Sequence, residues 1–203
     1  MTTRNHDPVT NRPRLSRLSE MFDREGRALV ARVRDWGPQR WAAASACTGW
    51  SRADAVHHLV QALAIYAHGI EAAADDRPAQ FRRPKRPPYD AAIVDQLAVA
   101  VRDLATAITR CAPGTAVWHP RHRLCVEQLA GVALSETILH RWDVDGAPLV
   151  EESAQAVLET LHPRAAAARR RLGYAGSAGE LLLELTGRGA EPVDDWRWEI
   201  EPA

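Results

Sequence analysis

The sequence lacks any long apolar stretch. No run of apolar residues approaches the roughly 18 that a membrane-spanning helix needs. The first residues, MTTRNHDPVTNRPR, contain no apolar segment of the kind that a secretory signal requires. We therefore expect a cytoplasmic protein that does not associate with membranes. Its 203 residues are enough for one well-packed domain.

The sequence also lacks an excess of charge of either sign. Its 26 basic and 26 acidic residues cancel, so no overall field attracts nucleic acid or an anionic membrane surface. The strongly basic stretch FRRPKRPP (81–88) is interrupted by prolines and has no interleaved aromatic residues. We interpret it as part of a solvated linker rather than as a nucleic-acid site.

Cysteine is scarce as well. The three cysteines, Cys47, Cys111 and Cys125, are too few and too scattered for a disulfide framework or a paired-cysteine metal site. The odd count is typical of a reducing compartment. We expect all three to pack as small apolar side chains, so the sequence predicts no cysteine nucleophile in any catalytic role.

What the sequence does have is alanine and leucine, with few β-branched runs before residue 175, and this composition favours helices. Apolar residues at helical spacing predict four long helices and a fifth helical stretch broken by Pro163. Ser51 is a good N-cap for the second helix, and Asp54 supplies the acidic residue three positions later. The predicted helices cover about 15–34, 52–74, 90–111, 124–144 and 151–171.

The predicted fold is mainly α: a four-helix bundle with an extra C-terminal helix and a small β-appendage. The segments ELLLELTG (180–187) and WRWEIEP (196–202) resemble strands, and they could pair as an antiparallel ribbon. The predicted organisation is a disordered tail over 1–14, a helical bundle over 15–172 and the β-appendage over 173–203, packed on the bundle.

The most informative segment is SETILHRWDVDGA (135–147) in the fourth predicted helix. Glu136 and His140 lie four residues apart, so both side chains lie on one helical face. They extend an apolar stripe, and a buried carboxylate and imidazole are costly unless they are paired or bound to a ligand. The alternative is a partly exposed ion pair on the helix surface.

The second predicted helix offers two adjacent histidines, His57 and His58. Residues 55–67 are apolar almost all round, so periodicity does not choose between them, and either histidine alone could be a hydrogen-bonded core residue. Together with Glu136 and His140, one of them completes a set of two histidines and a glutamate. Such a set leaves coordination positions open, as in catalytic zinc sites.

These segments carry a resemblance to a known family. TGWSRADAVHHLV (48–60) is similar to the GW-S-x-x-D-hydrophobic-H-L segment of the mycothiol-dependent maleylpyruvate isomerase family, part of the DinB-like superfamily, and ETILHRWDVDGA resembles its E-x-x-x-H-R-W-D segment. The resemblance implies a DinB-like bundle and a divalent metal, most readily zinc, held by Glu136, His140 and a histidine of the first segment. Counting eight residues from Trp50 selects His58, with His57 as the adjacent alternative.

The resemblance also implies a chemistry. Mycothiol, a low-molecular-weight thiol, would bind the metal as a thiolate and isomerise a small electrophile or remain attached to it by S-transfer. The implied partners are this thiol and the electrophile, acting on a monomer or homodimer without nucleic acid or membrane. Because isomerases of the family carry a larger C-terminal domain, we expect a smaller or different electrophile than maleylpyruvate.

Two other functions stay open at this point. The same metal site could serve a thiol-independent enzyme, such as a hydrolase or a biosynthetic tailoring enzyme, that activates water or polarises its substrate. The chain could also be a non-catalytic protein that binds a metal or a small molecule. The open coordination positions favour an enzyme over the binding protein.

Further candidate residues flank the fourth helix. The segment VWHPRHRL (117–124) leads into that helix and is expected at the mouth of the bundle. Its polar side chains are candidates for substrate binding: His119, Arg121, His122 and Arg123. Arginines there could hold a carboxylate, although a solvated basic loop is an equal alternative. Asp143 is a candidate for orienting a ligand imidazole from outside the metal site.

Overall fold

The structure, a computed structural model, describes residues 8–87, 91–189 and 199. The helices formed by these residues are α1 (Pro8–Val33), α2 (Pro38–Ala42), α3 (Arg52–Ala74), α4 (Ala91–Arg110), α5 (Val126–Asp145), α6 (Glu151–Leu161), α7 (Pro163–Arg171) and α8 (Ala178–Leu185). The strands are β1 (Ala116–Trp118) and β2 (Arg123–Cys125). The mainly α fold is confirmed.

Four long helices form the bundle. Helices α1 and α3 each pack against both α4 and α5, so a single apolar core runs along the centre of the four. Helix α6 packs on α5, and α8 packs on α6, which extends the bundle at one side. Within the described parts of the chain, no helix has the length and apolarity to cross a bilayer.

Helix α3 begins where the sequence predicts. The Ser51 side chain accepts a hydrogen bond from the backbone N–H of Asp54, whose carboxylate in turn accepts from the backbone N–H of Ser51. This reciprocal capping satisfies two N–H groups that a helix start otherwise leaves without partners. The start of α3 is therefore set locally, and it fixes which turn of the helix carries His57 and His58.

The predicted strand at 180–187 is wrong, because most of this segment forms helix α8. Ser177 accepts a hydrogen bond from the backbone N–H of Glu180, and the Glu180 carboxylate accepts from Ser177. This capping box, followed by leucine and glutamate, favours a helix. The predicted ribbon, which would pair this segment with 196–202, is therefore wrong as well; residues 196–202 themselves lie outside the described residues except for Glu199.

Three further features of the helices differ from the prediction. Helix α1 begins at Pro8 rather than near residue 15, since proline fits a first helical turn, where no N–H is needed; the rest of the predicted tail, 1–7, lies outside the described residues. The residues around Trp41, which we expect from the sequence to form a short turn between the first two long helices, form the short helix α2. Helix α5 begins at Val126 because residues 123–125 belong to β2.

The small sheet of the structure is a hairpin between α4 and α5. Strands β1 and β2 pair antiparallel, with Trp118 opposite Arg123. Strand β1 lies against α3 at Gly69, where an added Cβ would lie 2.0 Å from the Trp118 carbonyl oxygen. Only glycine permits this approach. The contact holds the hairpin, and the polar residues at its tip, against the helix that carries His58.

Replacing Gly69 should therefore disturb the hairpin more than the helix. We expect Gly69→Ala to lower the free energy of unfolding by about 1–3 kcal/mol, because the new methyl group overlaps a backbone atom that cannot rotate away. Urea unfolding followed by circular dichroism measures this change. Gly37→Ala is the control, since nothing lies within 4 Å of its added Cβ. Equal stability of the Gly69 variant and the parent would contradict the close contact.

Candidate metal centre

The structure brings together three side chains from two facing helices. His58 of α3 and Glu136 and His140 of α5 each offer one ligand atom, and these atoms all lie within 4.8 Å of one another. His140 Nε2 is 3.2 Å from Glu136 Oε2, and the rings of His58 and His140 lie 5.1 Å apart at their centroids. The two segments singled out in the sequence therefore meet at one point of the bundle.

His57 points away from this cluster. Its Nε2 lies 3.1 Å from the Gln61 side-chain nitrogen, and the same Gln61 nitrogen donates to the carbonyl oxygen of Pro84 in the linker after α3. His57 is therefore held on the linker side of α3. Of the two adjacent histidines, the structure places His58 beside Glu136 and His140.

Protonation in the cluster is set by burial and by mutual charge. Burial lowers the pKa of His58, and the charge of His140 lowers it further, so His58 keeps a free lone pair. Burial alone would raise the pKa of Glu136, but the hydrogen bond and charge of His140 outweigh it, and the pKa is lowered. Glu136 is thus ionised and His58 neutral, the forms that bind a cation, whereas burial lowers the pKa of His140 but Asp143 and Glu136 raise it well above its ordinary value.

The outer side of His140 is held by a second carboxylate. His140 Nδ1 lies 2.9 Å from Asp143 Oδ2, and Arg188 approaches the same carboxylate with two nitrogens, each at 2.8 Å. Burial would raise the pKa of Asp143, but Arg188 and His140 hold it far below its usual range. Asp143 therefore orients the imidazole so that Nε2 faces Glu136, an arrangement typical of metal-binding histidines.

Sequence reasoning missed Arg188. It lies three residues after the end of α8, just past Gly187, which has a φ of 72° and turns the chain back. The Arg188 backbone N–H donates to the Leu183 carbonyl. No local pattern links this residue to Asp143, which lies 45 positions away. The contact depends on α8 packing against the bundle and can be found only from tertiary structure.

Cys47 also lies at the site, beside the outer side of His140. Its sulfur is one of three ligand atoms, with those of His140 and Asp143, that lie within 4.8 Å of one another. Its position is set by the loop before α3, where the Ala46 backbone N–H donates to the Asp143 carbonyl at 2.7 Å. The expectation that Cys47 merely fills apolar space is therefore wrong, since it contacts polar groups.

The two other cysteines are away from this cluster. Burial raises the pKa of Cys111, and it raises the pKa of Cys125 to about 11. Both thiols are therefore protonated at neutral pH, which makes them poor nucleophiles. Neither residue belongs to the groups of possible metal ligands among the described residues.

The hairpin tip brings His119 and Arg121 towards the cluster. His119 is buried, its ring lies 5.5 Å from that of Tyr66 on α3, and its Nδ1 accepts from the Arg121 backbone N–H at 3.3 Å. Burial, with the nearby charges of His122 and Arg121, lowers the pKa of His119 to about 4. Burial raises the pKa of the Tyr66 phenol, because it disfavours the charged form there too, and the charge of Glu136 raises this pKa further. His119 and Tyr66 thus form a neutral wall near Glu136.

The two arginines of the hairpin differ in their surroundings. The guanidinium of Arg123 lies 4.4 Å from the centre of the Trp118 ring and donates to the Ala116 carbonyl. Arg123 therefore stabilises the hairpin itself. The Arg121 side chain is exposed, and its charge acts on both Tyr66 and His119. Of the two, Arg121 is placed to meet a ligand.

Two further residues complete the surroundings. His122 is exposed, stacks on His119 with ring centroids 6.3 Å apart, and is thus an outer neighbour of the site. Trp50 is 37% exposed, and its ring lies 5.1 Å from that of His58. Trp50 therefore gives the outer side of His58 an aromatic surface that solvent reaches.

The fold and this cluster define a class: helical-bundle proteins with a candidate metal site of two histidines and a glutamate on facing helices. The sequence model for the mycothiol maleylpyruvate isomerase N-terminal domain matches residues 22–145. The chain belongs to this family, as the resemblance implied. Among curated proteins, none matches the chain.

Solved structures of similar fold bear the same family name. The structure of a mycothiol-dependent maleylpyruvate isomerase is similar at a TM-score of 0.66 and 15% identity, covering 95% of each chain. The structure of a histidine-to-alanine mutant of a mycothiol-dependent maleylpyruvate isomerase is similar at a TM-score of 0.67 and 14% identity, again covering 95% of each chain. The expectation of a larger C-terminal domain in such isomerases is therefore wrong for these chains, since they align with this one almost end to end.

The cluster predicts which substitutions reduce metal binding. We expect His58→Ala, Glu136→Ala and His140→Ala each to lower the bound divalent metal, because each removes one converging ligand atom. Mass spectrometry of the purified proteins for metals measures the loss. His57→Ala is the matched control, since the adjacent ring faces Gln61, and it should keep most of the metal. Loss in the control with retention in His58→Ala would show that the wrong histidine is assigned.

Proposed function

We propose that the chain is a metal-dependent enzyme that uses a low-molecular-weight thiol, mycothiol, either to isomerise a small electrophile or to remain attached to it through sulfur (S-transfer). His58, Glu136 and His140 would hold the divalent cation, most readily zinc. A cytoplasmic location and a monomeric or homodimeric state belong to the same proposal. The convergence of these three side chains on facing helices, in a chain of this family, is the observation that carries it.

The charges around the cluster favour the binding of a divalent cation and then of an anion. Glu136 and Asp143 are ionised, and Arg188 offsets one of these two negative charges. A divalent cation that displaces the proton of His140 leaves one net positive charge in a largely buried site. An anionic thiolate would neutralise that charge, whereas a neutral ligand would leave it uncompensated. The charge count therefore favours an anionic ligand, which a thiolate would be, as the next group to bind.

The protein's own residues prepare the site for this step. The cation, when bound, supplies the positive charge that lowers the pKa of a thiol. Asp143, held by Arg188, fixes the ring of His140. Neutral His119 and buried Tyr66 limit the access of water on the hairpin side. These groups orient the ligands and keep the site dry, and none of them has to act as a nucleophile.

Arg121 is the group we propose for holding an anionic part of the substrate or of the thiol. Its side chain is exposed at the hairpin tip, and its charge reaches Tyr66 and His119 next to the cluster. His119 and His122 flank it and limit the shape of the ligand. Arg123 packs within the hairpin, so we propose a structural role for it in place of the substrate-binding role predicted from the sequence.

A spectroscopic experiment tests the use of a thiol. With cobalt(II) in place of the native metal, mycothiol should produce an intense sulfur-to-cobalt charge-transfer band in the near ultraviolet, because only direct sulfur coordination gives that transition. S-methylated mycothiol is the control ligand, and Glu136→Ala is the control protein. A cobalt-loaded protein without this band at saturating mycothiol would favour the thiol-independent alternative, a hydrolase or a biosynthetic tailoring enzyme.

The two hairpin arginines give a second test. We expect Arg121→Ala to weaken binding of an anionic substrate or of mycothiol by roughly 10- to 150-fold, the range for losing a hydrogen bond to a charged group, while metal content stays constant. Arg123→Ala should instead lower the free energy of unfolding, because the stacking on Trp118 is lost. Calorimetric titration and urea unfolding separate the two effects. Unchanged affinity in Arg121→Ala would exclude it from ligand binding.

A further inference from the structure

The metal cluster has an aromatic side chain on its outer side that the apolar core does not use. Trp50 is 37% exposed, whereas Trp36 and Trp41 are buried, and its ring is not part of the apolar core formed by the described residues. It lies 5.1 Å from the ring of His58, measured between centroids, at an angle of 58°. This exposure costs free energy that a bound ligand would recover by covering the ring.

The backbone holds Trp50 in this exposed position. Its N–H donates to the Cys47 carbonyl at 3.0 Å, and its carbonyl accepts from the Ser45 backbone N–H at 2.9 Å and from the Ser45 hydroxyl at 3.0 Å. Gly49 before it has a φ of 78°, and Ser51 after it is the N-cap of α3. The ring is thus presented on a hydrogen-bonded turn rather than on a loose loop.

The surroundings of Trp50 suit a polar small molecule better than an apolar protein surface. The other exposed large apolar side chains of the described residues belong to different parts of the fold, on α4, before α6 and after α7: Val99, Val150 and Leu172. An apolar protein partner would need several such side chains together. The charge of Arg83, in the linker after α3, reaches His58 and lowers its pKa, so a cationic group also borders this histidine.

A ring that carries hydroxyl groups fits such surroundings. A sugar stacks the C–H side of its ring on an aromatic face, and its hydroxyl groups bind polar neighbours; tryptophan offers a large face together with an N–H donor. Mycothiol carries its cysteine on an amino sugar joined to inositol, so the sugar follows the sulfur after a single cysteine unit. A thiol whose sulfur lies at the cluster would therefore have its sugar near the ligand histidines, and Trp50 is the exposed tryptophan that contacts one of them.

We propose that Trp50 binds the sugar part of the thiol by stacking, and that it thereby determines which low-molecular-weight thiol the site accepts. This role rests on the proposed function, because it belongs to the same site. Coordination comes from His58, Glu136 and His140, which any small thiol can use. Preference for a thiol that carries a sugar comes from Trp50.

The test compares two thiols that share the N-acetylcysteine part and differ in the sugar: mycothiol and N-acetylcysteinamide. Titration of the cobalt(II)-loaded protein, followed through the charge-transfer band, gives the affinity for each. We expect Trp50→Ala to weaken the binding of mycothiol about fivefold to tenfold, the effect of no longer burying roughly 50 Å² of apolar surface. The affinity for N-acetylcysteinamide should stay as in the parent. Trp50→Phe, which keeps a smaller ring, should lose less.

Controls separate this role from a structural one. Val99→Ala removes an exposed apolar side chain from α4, and it should bind both thiols as the parent does. Metal content is measured for each variant by mass spectrometry for metals. If Trp50→Ala does not retain the metal, Trp50→Leu, which still covers His58 with an apolar side chain, takes its place and should show the same selective loss.

The outcomes distinguish this role from the proposed function. Equal affinity of the parent for the two thiols, or a metal-loaded Trp50→Ala protein that binds mycothiol as the parent does, overturns the role of Trp50 and leaves the thiol function standing. A loss of the same size for both thiols shows a structural role and overturns it likewise. If the parent gives no charge-transfer band with either thiol, the proposed function fails, and the role of Trp50 fails with it.

Discussion

The candidate site depends on one buried imidazole that lies between two carboxylates. Each ring nitrogen of His140 faces an oxygen, Nε2 that of Glu136 at 3.2 Å and Nδ1 that of Asp143 at 2.9 Å. Burial lowers the pKa of His140, but Asp143 and Glu136 together raise it well above its ordinary value. In the metal-free protein this ring therefore carries a proton, and a cation at the Glu136 side must displace it. Arg188 stabilises the second carboxylate, so the site depends on the turn after α8 as well as on α5.

Local signals predicted the parts of the site that local structure determines. The Ser51–Asp54 capping box fixes the start of α3, and the four-residue spacing of Glu136 and His140 places both on one face of α5. Local signals did not decide between His57 and His58, because α3 is apolar on nearly every side and its periodicity selects no single face. The structure separates the two through Gln61, which holds His57 on the linker side.

Long-range contacts explain what the sequence could not show. Arg188 and Cys47 approach His140 and Asp143 from distant segments, and neither lies in a pattern that predicts such a contact. The two hairpin arginines look equivalent in the sequence, but the pairing of Trp118 with Arg123 sets one of them on an aromatic ring. The misread strand at 180–187 has a different cause: the short apolar run resembles a strand, but the capping box before it starts a helix.

The apolar character of α3 on all sides follows from its position, since α4, α5, α2 and β1 all pack against it. The same helix therefore borders the metal cluster on one face and the linker that follows it on another. Gln61 joins His57 to this linker, because its side-chain nitrogen contacts the His57 ring and donates to the carbonyl oxygen of Pro84. Because these contacts hold His57 on the linker side, His58 is left as the histidine that lies beside Glu136 and His140.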